Sequence, residues 1–282
     1  MQSKIAYLGP PGTYTEEAAQ FYAQSVVSME KKGEDIFLAC MSMEEVVSAV
    51  EYKETGFGVL PLENSLEGSV TVTLDLLAAS SLSICTEIIR PIEHCLLTKA
   101  GDTQPLKKIY SHPQALAQCR HYLAKHCPQA ELEPVASTAK ASMIVSREGQ
   151  GKGAIAPARA AAYYNLKIRA RGIAENTSNA TRFIVVAWHD SPPSAKDKTS
   201  IIVGIKDSPG SLYALLGIFA AKKINLTRIE SRPARTNIGE YFFFIDFEGH
   251  RQQNEIRSVL QRVKEESCYL KILGSYPVYR EK

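Results

Sequence analysis

Five short stretches of the chain gather small hydroxyl and amide side chains: GPPGTYT (9–15), ENS (63–65), SHPQ (111–114), STA (137–139) and NATRF (179–183). In four of them an apolar, strand-like run ends, the polar residues follow, and a helical pattern begins; NATRF runs on into a strand. Hydroxyls and amides do not titrate near neutrality, so this inventory suits oriented hydrogen bonding. The carboxyl ends of strands form the ligand crevice of open α/β sheets, and helix N-termini there offer free N–H groups and partial positive charge. Such a rim fits a small anion bearing hydroxyl or carbonyl groups. Ser, Thr and Asn also cap helices everywhere, which accounts for Thr13 and Ser42 whatever the function. Capping does not account for Gln114, nor for Arg182, which sits between Thr181 and the apolar run FIVV and needs a counter-charge.

Other chemistries lack their residues. GPPGT has neither the dinucleotide pattern GxGxxG nor a P-loop, and no GxSxG elbow occurs. His121 and His126 are five apart, the wrong spacing for a helical zinc pair, and no metal is expected. The six cysteines are dispersed in mostly apolar contexts, as reduced core residues would be. A net charge of +3 with scattered basic residues gives no reason to expect nucleic acid; KIRAR (167–171) reads as a strand with one wet face. No run approaches the ~20 apolar residues of a membrane span, and MQSKIAYLGPPG enters a strand without a signal-type apolar region, so the expected location is the cytoplasm.

The elements that would hold these residues fall into two halves. Up to Val186 strands and helices alternate, with capping boxes at Thr13/Glu16 and Ser42/Glu45, which predicts an α/β domain with a largely parallel sheet. WHDSPPSAKDKTS (188–200) is polar and proline-bearing and reads as a linker. Beyond it, strand patterns at 200–205, 227–231, 241–247 and 270–278, with a turn through Asn237–Gly239, surround two helical patterns. These are Leu212/Leu215/Leu216/Phe219 and Ile256/Val259/Leu260/Val263. The order is βαββαβ, the split βαβ of ferredoxin-like α+β folds, with one sheet face covered by helices and the other face or an edge free for a partner subunit.

YLGPPGTYTEEAA, PLENSLEGSV, SHPQALAQC and NATRF, in this order, resemble the catalytic domain of the prephenate dehydratase family. DSPGSLYALLGIF and RIESRPAR resemble the ACT regulatory domain that follows it. The resemblance covers essentially the whole chain. It implies an α/β, two-lobed, periplasmic-binding-protein-like (type II) catalytic domain over 1–189. Lobe 1 would be about 1–75 and 175–189, and lobe 2 about 76–174. A linker at 190–199 and a ferredoxin-like ACT domain at 200–282 follow.

The activity implied is decarboxylative dehydration of prephenate to phenylpyruvate in phenylalanine biosynthesis, with no cofactor. Inhibition by L-phenylalanine at ACT–ACT contacts of a homodimer or homotetramer is implied as well. By the same resemblance Thr181 donates to the leaving hydroxyl, Asn64 and Gln114 orient the substrate, and Ser65, Ser111, Ser137, Thr138 and the backbone around Thr13 hold carboxylates. His112 shapes the site, Phe183 is core beside it, and Arg182 is either a substrate counter-ion or the partner of a structural acid. In the ACT half Glu230, Ser231, Arg232 and Pro233 match the effector motif ESRP. Gly210, Ser211 and Leu212 match a motif that usually reads Gly-Ala-Leu, which leaves the strength of phenylalanine binding open. Two other functions stand beside this one: the sister reaction on arogenate, which differs only in an amino for a keto group, and a non-catalytic anion-binding, amino-acid-sensing regulator. SHPQ and TRF together argue against the regulator, since binding an anion needs neither.

Overall fold

A computed structural model describes residues 4–26, 36–101, 103–176, 178–233 and 241–280. The chain opens with β1 (Ile5–Leu8), α1 (Tyr14–Phe21), β2 (Phe37–Cys40), α2 (Met43–Glu51), β3 (Phe57–Asn64), β4 (Gly68–Ser69), α3 (Thr71–Ala79) and β5 (Ser83–Pro91). It crosses to β6 (Cys95–Lys99), β7 (Lys108–Ser111), α4 (Pro113–Gln118), α5 (Arg120–His126), β8 (Glu131–Pro134), α6 (Thr138–Glu148), β9 (Lys152–Ala156), α7 (Ala158–Tyr163) and β10 (Leu166–Ala170), then returns through β11 (Ala180–Ala187). The last part holds β12 (Asp197–Gly204), α8 (Ser211–Ala221), β13 (Leu226–Pro233), β14 (Tyr241–Glu248), α9 (Asn254–Glu266) and β15 (Tyr269–Arg280).

Local chemistry starts the helices that matter. Thr13 and Ser42 accept from the N–H groups of Glu16 (3.3 Å) and Glu45 (3.2 Å). The two glutamates reach back to the amides of Gly12 (2.6 Å) and Met41 (2.7 Å), so each pair closes two free helix donors.

The first lobe's sheet runs β2-β1-β3-β11-β5, and the second lobe's runs β10-β6-β9-β7-β8. Both are mixed, not largely parallel: β1 is parallel to β2 and β3, but β11 is antiparallel to both β3 and β5. The physical reason is the double crossing, since β11 is the strand on which the chain comes back. β5 pairs with β11 along its whole length, from Ser83 opposite Ala187 to Pro91 opposite Ala180. The chain therefore leaves the first lobe's sheet after Pro91, not near residue 75. β5 and β6 follow one another closely in the chain yet belong to different sheets.

In the C-terminal part the strand order is β13-β14-β12-β15, all antiparallel. Helices α8 and α9 cover one face, burying Leu215, Phe219, Val259 and Val263 against Ile201, Val203, Ile245 and Phe247. β12 begins at Asp197, within the expected linker, because Asp197 and Lys198 already pair with Pro277 and Tyr276. The opposite face is partly occupied: Ile202, Phe244, Leu273 and Tyr276 pack with Leu60, Leu74, Leu77 and Ile84 of the first lobe.

β15 then runs parallel to β5, with Val278 opposite Glu87, and joins the two domains in one 10-stranded sheet. Gly274 makes the approach possible, because its φ is +148° and a Cβ there would meet the carbonyl oxygen of Ile84 at 2.2 Å. The linker is tied to both sides: Asp190 accepts from Arg251 (2.8 Å) and the Ser275 amide (3.0 Å), and Ser191 donates to the Cys85 carbonyl (2.6 Å). The expected turn through Asn237–Gly239 lies outside the described residues. All six cysteines are free, with Cys40, Cys85, Cys95 and Cys119 buried. Among the described residues no helix is long and apolar enough to cross a membrane.

Candidate active site between the lobes

The cleft between the two sheets is a cavity of about 310 Å3. The first lobe supplies Thr13 at the start of α1, Asn64 at the end of β3, and Thr181 and Phe183 on β11. The second supplies His112 and Gln114 at the start of α4, and Ser137 and Thr138 at the start of α6. No Lys or Arg is among the described residues lining it, so an anion there meets helix N-termini and hydrogen-bond donors, not side-chain cations. Among the described residues no cluster of three His, Cys, Asp or Glu is placed to hold a metal.

Register explains the central pair. β11 sets Thr181 opposite Asn64 and Arg182 opposite Glu63, with a bulge before Phe183. Successive residues of a strand face opposite sides, so Thr181 looks into the cleft and Arg182 away from it. Asn64 Nδ2 donates to Thr181 Oγ1 at 2.9 Å and to Asn179 Oδ1 at 2.8 Å, while its own Oδ1 accepts from the Leu66 amide at 3.0 Å. Thr181 thus has an oxygen lone pair occupied, and its O–H has no acceptor among the described protein groups.

Three expected residues stand elsewhere. Ser111, fully buried, donates to the Ile155 carbonyl (2.7 Å) and ties β7 to β9. Ser65 does not line the cavity: it accepts from the Ala180 amide (3.0 Å) and fixes the loop after β3 against β11. Arg182, 6% exposed, is held by Glu87 and Asp246 on the far side of the sheet, which resolves its two roles in favour of a structural acid. The hydroxyls of Thr13 and Ser137 are engaged as helix caps, accepting from Glu16 and Lys140 amides.

The sequence reading missed Tyr14, Glu67, His94, Gln118 and Asn179, all of which line the cavity. Gln118 is four residues past Gln114, hence on the same face of α4, and that spacing was the available signal. Gln118 Oε1 accepts from His94 Nε2 and Asn179 Nδ2, each at 3.1 Å, and its Nε2 donates to Glu67 Oε1 at 3.2 Å. Burial lowers the pKa of His94, against the Gln118 hydrogen bond, and so favours the neutral imidazole. Burial also raises Glu67, an effect partly offset by the Gln118 hydrogen bond, and holds the Tyr14 phenol well above its ordinary range.

In the C-terminal domain Gly210, Ser211 and Leu212 line a second cavity, also about 310 Å3, with Tyr213, Tyr241 and Phe243. The other effector segment lies on edge strand β13. Pro233 pairs with Tyr241 at the rim of that cavity. Glu230 and Arg232 turn to the catalytic side, Glu230 to Ser69 and Arg228, and Arg232 to Asp75 (3.0 Å). Among the described residues of one chain the two effector segments meet at this sheet end.

Fold and cleft define a two-lobed α/β domain for a small anion, joined to a ferredoxin-like βαββαβ domain with its own cavity. The prephenate dehydratase family profile matches residues 5–191 and the ACT domain profile residues 199–265. The chain is 38% identical to the prephenate dehydratase of Methanocaldococcus jannaschii, covering 99% of this chain and 100% of that one. It is 42% identical to a bifunctional chorismate mutase/prephenate dehydratase of Aquifex aeolicus, over 97% of this chain and 73% of the relative. The structure of the Arthrobacter aurescens prephenate dehydratase in complex with L-Phe superposes with a TM-score of 0.85 at 34% identity, over 97% of this chain and 89% of that one. The chain belongs to the prephenate dehydratase family and carries an ACT domain.

Proposed function

We propose that the cleft converts prephenate to phenylpyruvate, water and CO2, with Thr181 as the donor to the departing hydroxyl. The observation that carries this is the Thr181–Asn64 pair. Asn64 donates to the threonine oxygen, so the threonine's own proton points to an outside acceptor. Prephenate carries a ring hydroxyl opposite a quaternary carbon with its carboxylate. When the C–C bond to that carboxylate breaks, its electron pair enters the ring, the C–O bond breaks, and aromaticity supplies the driving force. The leaving oxygen takes up one proton from the solution and departs as water, and the carboxylate leaves as CO2. Thr181 stabilises charge on the leaving oxygen without ionising, as a preorganised donor. Gln114, Thr138 and the amides opening α1 and α6 orient the dianion, and a lining without Lys or Arg among the described residues leaves the ring carboxylate poorly compensated and ready to fragment.

L-phenylalanine is the proposed effector of the Gly210–Ser211–Leu212 cavity, with Glu230–Pro233 completing the site at a contact with a second copy. Exposed Tyr213, Ile229 and Tyr241 on the ACT domain support a homodimer or homotetramer assembled there. The test is turnover of prephenate, arogenate in parallel, and prephenate with added phenylalanine. Phenylpyruvate formation suppressed by phenylalanine is expected. Turnover of arogenate alone moves the chain to the sister reaction, and silence on both with folded protein overturns catalysis.

A further inference from the structure

Asn64 can aim Thr181 only if its own amide is aimed. Turned over, it would set Oδ1 against Thr181 Oγ1, and the threonine proton would go to Asn64 instead of the substrate. The Leu66 amide favours the observed orientation, but a single N–H at a loop is a weak clamp. The stronger one is Asn179. Its Oδ1 lies 2.8 Å from Asn64 Nδ2 and accepts again from Ser65 Oγ at 3.4 Å. Asn179 is 2% exposed, and its backbone carbonyl accepts from the Ile92 amide (2.9 Å) where the chain crosses between lobes. A buried amide bound on both ends has one favourable orientation.

What orients Asn179 lies in the other lobe. Its Nδ2 donates to Gln118 Oε1. That oxygen also accepts from His94, and Gln118 Nε2 faces Glu67, whose carboxylate when ionised has acceptors alone. Donors and acceptors therefore alternate from Glu67 through Gln118, Asn179 and Asn64 to the Thr181 hydroxyl. Reversing any one amide sets like atoms face to face at both of its ends.

We propose that Asn179 is a positioning residue for the reaction. It acts through Asn64 to leave the Thr181 proton free for the substrate, and through Gln118 it makes that alignment depend on the two lobes being closed on each other. The inference rests on the proposed turnover of prephenate.

The experiment compares wild type, Asn64→Ala, Asn179→Ala, their double variant and Asn179→Asp in the full chain, reading kcat and KM for prephenate and the unfolding midpoint. Asn179→Ala is expected to lower kcat about 10- to 100-fold with KM within about threefold, the scale of a misaligned catalytic group. The double variant should fall no more than about threefold below Asn64→Ala, because Asn179 acts through it. Asn179→Asp keeps the acceptor for Asn64 but adds charge beside a dianion. It should recover most of kcat while raising KM several-fold, an effect that fades on acidification. If Asn179→Ala fails to fold, Asn179→Asp decides alone: kcat within about threefold of wild type with a raised KM supports the proposal, and an unchanged KM with kcat down more than about tenfold overturns it. Fully additive losses, or an Asn179→Ala kcat within about twofold of wild type, overturn the proposal. A wild type silent on prephenate overturns the proposed function instead.

Discussion

Arg182 on β11 and Asp246 on β14 form a buried ion pair, with Nη1 2.6 Å from Oδ2, that pins the catalytic sheet to the ACT sheet. Glu87 stands 2.6 Å from the other guanidinium nitrogen, which also donates to the Tyr276 hydroxyl at 3.1 Å, while Glu63 turns from the cleft-side strand to Arg228 at 2.9 Å. Arg182 directly follows Thr181, so whatever shifts Asp246 tugs on the strand that carries the proposed hydrogen-bond donor. Arg182→Met leaves Asp246 buried without its paired cation and Glu87 with Lys198 alone. Breaking a buried pair from one side costs roughly 3–5 kcal/mol. The expected result is a large fall in the denaturant midpoint, and a midpoint within experimental error of wild type would show the cluster to be dispensable.

The same pair gives a pH dependence whose sign follows from the two states. Burial by itself would raise the Asp246 pKa, but the charges of Arg182 and Arg228 and the Ser200 hydrogen bond outweigh it and hold the carboxyl below its ordinary value. In the unfolded chain an aspartate titrates near ~3.9. Between the lower folded pKa and that value the unfolded state binds the extra proton, so the contribution is complete above it and is lost as pH falls through the folded pKa. Unfolding midpoints should lose stability below about pH 4, and Asp246→Asn should lack that part of the slope. Parallel slopes for the two proteins would contradict the assignment.

Much of this arrangement was legible in the sequence, and the failures share a cause. Asn64 stood out as a polar residue ending an apolar run and Thr181 as one opening such a run, and both line the cleft. Arg182 was visible as a charge in need of a partner, but its partner Asp246 lies 64 positions away, in another domain, and strand alternation decides which side it faces. Ser111 sat in a suggestive string yet points at Ile155, because the string ends a strand that needs a tie to β9. The boundary after β5 was hidden because three residues alone, 92–94, separate β5 from β6, and nothing local in so short a link marks a change of sheet. Pairing across sheets is nonlocal, and a local pattern does not encode it.

Replacing Thr181 by Val keeps the β-branched shape on β11 and removes the donor. Loss of one preorganised donor costs about 100- to 1,000-fold in kcat. KM should stay within about threefold and the unfolding midpoint should be unchanged, since Asn64 retains its bond to Asn179. Steady-state kinetics with prephenate decides it: a Val variant with wild-type kcat removes Thr181 from the reaction.

Gly274→Ala tests whether the joined sheet matters. Its Cβ would stand 2.2 Å from the Ile84 carbonyl oxygen and 2.9 Å from the Ile84 nitrogen, both backbone atoms that cannot step aside as a side chain would. β15 must then pull away from β5. Proteolysis within residues 274–280 should become faster than in wild type, and an unchanged digestion pattern would show that the join tolerates the methyl.

The last prediction concerns the effector cavity. Gly210 precedes α8 with φ +87°, and an added Cβ would meet no atom within 4 Å, so the cost of alanine there is backbone strain alone, roughly 1–2 kcal/mol. Relief requires the start of α8 to move, and with it Ser211 and Leu212, which line the cavity with Tyr241 and Phe243. Nothing in the cleft touches this turn. Gly210→Ala should therefore keep kcat and KM for prephenate while raising the phenylalanine concentration for half inhibition about tenfold, the equivalent of ~1.4 kcal/mol. Inhibition curves with and without the substitution give the answer. Coincident curves would place the effector elsewhere, whereas a matching loss of kcat would mean that the turn supports the catalytic domain directly through the shared sheet.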